Sequence, residues 1–161
     1  MNKRGFSIVE LVLVIAIIGI LAGIVSINFA TWQQKYQIEG QVKEMLADLT
    51  SVRMMAIQTK KEHRVFLNPL SYTFRRYSSE SDPKTIAGGV QVLNKPLKYT
   101  ITWPTTAPLM NPIVIDERGY TTNLGTISVA VGLADPMYNC LVIHTARVNM
   151  GKLNGATCEF R

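Results

Sequence analysis

Two small sets of residues in this 161-residue chain have types and spacings suited to chemistry. The first is Lys3-Arg4-Gly5-Phe6-Ser7-Ile8-Val9-Glu10, which sets two cations, a glycine and a lone carboxylate against a run where every residue from Leu11 to Val25 is apolar or glycine. A carboxylate in a membrane-competent helix costs on the order of 2.5–3.5 kcal/mol at the bilayer centre and less near its edge, so Glu10 needs compensation. A capping box with Ser7, three residues earlier, is one source. Cutting the chain after Gly5 is a stronger one. It frees a cationic amine on Phe6, one helical turn from Glu10 or against Glu10 of a neighbouring copy, and the two buried charges offset each other. The second set is Cys140 and Cys158, the only cysteines.

The elements that must position these residues follow from hydrophobic period. The apolar character continues to Ala30, interrupted by Ser26 and Asn28, and about 20 helical residues at 1.5 Å each cross a hydrocarbon core of roughly 30 Å. A cleaved secretory signal has an apolar core of only about 7–15 residues, which this run exceeds. Beyond it, Ile38, Val42, Met45, Leu49, Val52 and Ala56 recur at steps of four and three, one stripe of an amphipathic helix. With no proline before Pro69, the spacing predicts one helix from about Phe6 to about Lys60. Gly19, Ala22 and Gly23 form a small face suited either to close helix approach or to lipid.

After Lys61 the pattern changes to strands. His63–Asn68 and Ser71–Tyr77 alternate around Asn68-Pro69 and read as a hairpin. Tyr99–Trp103, Ile113–Asp116, Thr126–Val131, Cys140–His144 and Arg147–Met150 are further short strands, while Ser78–Gly89 and Pro104–Pro112 read as loops. Helix first and strands afterwards indicate an α+β fold: a long N-terminal helix, half transmembrane and half amphipathic, packed on a C-terminal antiparallel sheet. The chain divides into residues 1–5 as a leader, 6–30 as the membrane half of the helix, and 31–161 as one globular domain. Lys3 and Arg4 orient the anchor with its N-terminus cytoplasmic and the domain outside. Their removal would leave 15 basic and 11 acidic residues, a net charge of +4 in place of +6.

The segment Gly5-Phe6-Ser7-Ile8-Val9-Glu10, with Lys3-Arg4 before it and the apolar run after it, resembles the class III signal of type IV pilins and type II secretion pseudopilins. The resemblance implies that a prepilin peptidase cuts between Gly5 and Phe6 and methylates Phe6, and that Glu10 serves filament assembly. It also implies a bacterial inner-membrane protein with a periplasmic domain, whose partners are the peptidase, the assembly platform and other pilin subunits in a pilus or pseudopilus. Many pilins carry a proline where this chain has Ile27, which favours a minor component. Met45-Leu46-Ala47-Asp48-Leu49, Arg53-Met54-Met55-Ala56-Ile57, the hairpin, Asp116-Glu117-Arg118-Gly119 and the strand pair from Cys140 are similar to GspH/FimT-type minor pilins and pseudopilins. Where those relatives often have glycine before the arginine of the last hairpin, this chain has Ala146-Arg147, which bears on the turn type because alanine disfavours positive φ.

An exported domain is oxidising, so Cys140 and Cys158 are expected to pair rather than remain two thiols. Closing such a loop contributes roughly 3 kcal/mol in the loop-entropy account. His63 and His144 match no ligand spacing with the cysteines, so no metal or other cofactor is expected. No G-x-S-x-G, H-E-x-x-H, P-loop or dinucleotide fingerprint occurs. Adjacent Asp116 and Glu117 read as part of a turn rather than a catalytic pair, so no catalytic residue and no enzyme are expected. The alternative to a structural subunit is nucleic-acid binding by a patch of Arg75, Arg76, Arg147, Lys152 and Arg161. Some minor pilins of this type take up DNA through a Gly-Arg-x-Arg motif, of which Ala146-Arg147-Val148-Asn149 keeps only the first arginine.

Overall fold

The stripe from Ile38 to Ala56 is the part of the helix that finds a partner. A computed structural model describes residues 6–78, 82–103 and 112–160, with the backbone alone for 24–28. Helix α1 runs Ile8–Thr59, within about two residues of the predicted span. Ile38, Val42, Met45, Leu49, Val52 and Ala56 are all buried, each larger one contributing about 1.5–3 kcal/mol against remaining exposed. Every described side chain from Phe6 to Gly23 is exposed instead. The helix ends at Lys60, whose left-handed backbone (φ 53°, ψ 44°) lets its N–H reach the Ala56 carbonyl and turns the chain towards the strands.

The strands are β1 (Glu62–Asn68), β2 (Ser71–Tyr77), β3 (Val90–Pro96), β4 (Ile101–Thr102), β5 (Ile113–Ile115), β6 (Thr121–Thr122), β7 (Gly125–Val129), β8 (Cys140–Ile143), β9 (Val148–Asn154) and β10 (Thr157–Phe160). They form two five-stranded sheets, β3-β2-β1-β5-β6 and β10-β9-β8-β7-β4, rather than one, and every pairing is antiparallel. The β1–β2 hairpin closes on Asn68 opposite Ser71, as the alternation predicts. Val65, Leu67, Tyr72, Phe74, Ile113 and Ile115 from the first sheet share one buried cluster with Ile101, Ile127, Val129, Leu141 and Ile143 from the second and with the helix stripe.

Three strands, β3, β6 and β10, were not anticipated by the sequence pattern. The predicted strand Tyr99–Trp103 is reduced to Ile101–Thr102; at its start the N–H and carbonyl of Tyr99 are taken by the Gln41 side chain at 2.9 and 2.8 Å. In contrast, β9 continues past Met150 to Asn154. Residues 79–81 and 104–111, within the two predicted loops, lie outside the described residues.

Continuity through Gly151 has a steric reason. Gly151 pairs with Cys140 on one side and Phe160 on the other, and a Cβ there would lie 2.1 Å from the Glu159 carbonyl oxygen and 3.1 Å from Cys158 Sγ. The Cys140–Cys158 disulfide therefore crosses β9 at the one residue without a side chain, joining β8 to β10 with Cα atoms 6.0 Å apart. Asp116–Gly119 is a turn, as expected: Gly119 has φ +82°, and a Cβ on it would meet Ile57 Cδ1 at 2.7 Å. The β8–β9 hairpin turns without positive φ at Ala146, so alanine is no obstacle there; the last hairpin is instead β9–β10, which turns through Gly155 at φ 60°.

His63 is buried on the helix-facing side of β1, with Nδ1 2.9 Å from the Lys61 carbonyl and Arg76 opposite it on β2. Burial holds its pKa below the ordinary value, the Lys61 carbonyl opposes this, and the Arg76 charge adds to the lowering.

Two measurements check these points. Reducing the disulfide should lower the unfolding free energy by roughly 3 kcal/mol, read from denaturant midpoints with and without reductant; alkylation of both thiols without reduction would rule out the bridge. Because the unfolded chain takes up the His63 proton before the folded one, stability should be complete above a pH of about 6.5 and decline below it. A His63→Gln variant should flatten that decline in a pH series of melts.

Candidate functional site

The described side chains of the N-terminal segment, Phe6 to Gly23, are all exposed. Ser7 is the N-cap in an extended conformation (φ −77°, ψ 143°), but its side chain makes no capping hydrogen bond; the first turn closes through Leu11 N–H to the Ser7 carbonyl at 3.2 Å. The capping box is thus not formed. Glu10 lies in the first turn, where the helix dipole favours an anion by about 0.3–1 kcal/mol. It is exposed and has no hydrogen-bond or ion-pair partner among the described residues. Phe6 is exposed one turn away, and Gly5 lies outside the described residues. Ile8, Val9, Val12, Leu13, Ala16, Ile17 and Ile20 line an open apolar groove along the helix, and Gly19 and Gly23 face open space. Among the described residues no helix is long and apolar enough to cross a membrane; the side chains described cover residues 8–23 of the apolar run, short of the about 20 that a span needs.

Polar side chains fix the second half of the helix at successive heights. Glu39 accepts the Met137 N–H at 2.8 Å. Gln41 donates to the Tyr99 carbonyl at 2.8 Å and accepts the N–H groups of Lys98 and Tyr99 at 3.1 and 2.9 Å. Asp48 receives the Tyr72 hydroxyl and pairs with Lys95 at 2.8 Å, while Glu44 takes the same ammonium at 2.7 Å. Burial, then the Asp48 carboxylate, push the Tyr72 phenol far above its ordinary range, and the hydrogen bonds to Asp48 and Glu44 raise the Lys95 pKa. Arg53 donates to the Ala146 carbonyl. The sequence reading missed these residues, although Gln41, three positions after Ile38 and four before Met45, is a polar residue on the apolar stripe itself.

The described basic residues lie on different elements, and two of them are engaged by other groups. Arg75 on β2 donates to the Gly88 and Gly89 carbonyls at 2.6 and 3.2 Å, Arg76 faces His63 across the hairpin, and Lys152 on β9 is paired with Asp135 at 2.5 Å. Arg147 is exposed on the β8–β9 turn, and Arg161 lies outside the described residues. Asp116 uses its carboxylate on the N–H groups of Arg118 and Tyr120 at 2.9 and 2.7 Å, a turn-forming role. His144 packs its ring 5.9 Å from Phe160. Among the described residues no cluster of three or more His, Cys, Asp or Glu is arranged to hold a metal.

The N-terminal segment is thus an exposed apolar helix with Glu10 in its first turn, continuous with a half that packs on a disulfide-closed domain. Residues 1–26 match the prokaryotic N-terminal methylation motif. No curated protein and no solved structure matches the chain. The matched motif is the class III prepilin signal, and with a long helix packed on antiparallel sheets behind it the chain is type IV pilin-like.

Proposed function

We propose that this protein is a minor pilin or pseudopilin of the GspH/FimT type: a structural, non-enzymatic subunit of a type II secretion pseudopilus or a type IV pilus. The observation that carries the reading is the methylation motif at residues 1–26 on a helix whose described N-terminal side chains are all exposed. Prepilin peptidase cuts between Gly5 and Phe6 and methylates the Phe6 amine. Before assembly, residues 6–30 cross the inner membrane, with the N-terminus cytoplasmic and the domain periplasmic. This extends the apolar stretch of residues 8–23 through the remaining apolar sequence to Ala30.

In the filament, exposed apolar helices pack on one another in place of lipid, and Glu10 meets the Phe6 amine of an adjacent subunit. That pairing suits an acidic residue with no partner among the described residues, and it sets axial register because a misplaced subunit leaves both charges buried and alone. The nucleic-acid alternative finds less support: Lys152 is neutralised by Asp135 and Arg75 is occupied by backbone carbonyls.

Mass analysis of the chain from cells with an active peptidase should find a mature N-terminus at methylated Phe6; recovery of Met1 would overturn the reading. Glu10→Gln should leave cleavage and membrane insertion intact while sharply reducing incorporation into filaments, read by crosslinking and shearing. Assembly equal to wild type would remove the charge-pairing role. Deletion distinguishes the machines, through loss of protein secretion or loss of twitching, adhesion or transformation.

A further inference from the structure

The turn between β7 and β8 carries Leu133, which is 96% exposed, the most exposed large apolar side chain among the described residues. It is not a loose tip. Gly132 adopts φ +57°, Ala134 N–H returns to the Val131 carbonyl at 3.1 Å, and Ala134 itself is buried. The Val131 carbonyl accepts from Gln34 Nε2 at 3.3 Å, Asp135 pairs with Lys152 at 2.5 Å, and Met137 N–H is held by Glu39 at 2.8 Å. The fold thus holds a leucine out into solvent from a turn anchored on both sides, with Met137, 48% exposed, beside it.

The anchoring points fix its height. Gln34 and Glu39 lie about 6 and 14 Å beyond Ala30, the end of the apolar run, at about 1.5 Å per residue. The headgroup layer outside each face of a hydrocarbon core is about 5–8 Å thick, so the Val131 end of the turn, held at Gln34, lies within it, and the Met137 end, held at Glu39, lies just outside it. At the same level the helix carries Phe29, Trp32 and Tyr36, each more than half exposed, with ring centroids 6.1 and 4.5 Å apart, the first pair tilted and the second edge to face. This is the composition of a membrane-interface belt. At about 100° per residue these three aromatics lie about 160–220° round the helix from Gln34. They serve one side of the helix, and the Leu133 turn occupies the opposite side.

We propose that the 131–137 turn is a second lipid-contacting element, placing Leu133 in the headgroup layer of the periplasmic leaflet and seating the domain on the membrane before assembly. The proposal rests on the membrane-anchored reading above. Together with the aromatic belt it makes an apolar collar round the helix and limits tilt of the domain over the membrane.

The test uses the full chain, disulfide intact, in vesicles of phosphatidylethanolamine and phosphatidylglycerol. An environment-sensitive fluorophore is placed at Leu133→Cys, and separately at Ile20→Cys and Leu124→Cys. Leu124 precedes Gly125, which pairs with Ile143 near the Ala146 carbonyl bound by Arg53, so it lies about 34 Å beyond Ala30. The Leu133 label should blue-shift and lose most of its emission to lipids carrying a quencher on the headgroup. The Ile20 label should respond to deep quenchers, and the Leu124 label should match its aqueous spectrum. A Leu133 label behaving like Leu124 while Ile20 is deep would overturn the proposal and leave the anchor standing, including the case where Leu133 becomes covered only by a neighbouring subunit. An aqueous Ile20 label would overturn both.

Discussion

The structure depends on one helix meeting two different surroundings along its length. The described side chains of its first half, mostly apolar, are exposed, whereas its second half confines its apolar side chains to the buried stripe from Ile38 to Ala56. That stripe joins the two sheets into one core: strands of two to seven residues give sheets of marginal independent stability, and both turn their apolar faces to the same helix. Removing the helix would uncover both sheets at once. Domain folding and presentation of the N-terminal segment are therefore coupled through α1.

Apolar burial alone does not fix where along the helix each sheet sits. The polar contacts do. Gln41, buried on the stripe, satisfies three backbone groups of Lys98 and Tyr99, and moving the helix by one residue would rotate that amide by about 100° and leave buried donors and acceptors without partners. Asp48 with Tyr72 and Lys95 performs the same task for the first sheet, and Arg53 with the Ala146 carbonyl for the second. Such contacts contribute modestly to stability but penalise alternatives heavily, so the domain stands at a defined height above the N-terminal half.

The helix and its buried face were legible because a long strict period leaves little else that those residues can do. The β1–β2 hairpin was legible through alternation around Asn68-Pro69, and so was the turn at Asp116–Gly119. The strand β3 was not, since Val90-Gln91-Val92-Leu93-Asn94-Lys95-Pro96 lies at a sheet edge with mixed exposure, and its Lys95 is used by Asp48 and Glu44 from the helix. β6 has only two residues, below what periodicity can register. The division into two sheets depends on long-range pairings that no local signal encodes. At the N-terminus the segment Phe6–Glu10 was identified by residue type, while the exposure of Glu10 needed coordinates: the Ser7 spacing that suggested a capping box is present, but the bond is absent.

The backbone through residues 24–28 stays helical without a break, with Ile27 where many pilins have proline. A proline would remove one hydrogen bond and cost about 3 kcal/mol of helix stability, creating a local point of yield. Here the weakest places in the apolar half are Gly19 and Gly23, each less favourable than alanine by about 0.8–1.0 kcal/mol yet keeping its N–H in the helical ladder. Stretching this segment would therefore require breaking intact hydrogen bonds at the glycines instead of opening an existing gap. A stiff N-terminal helix is poorly suited to a shaft that must extend along thousands of copies, and well suited to a subunit present at few positions, which is the physical content of the minor-component reading.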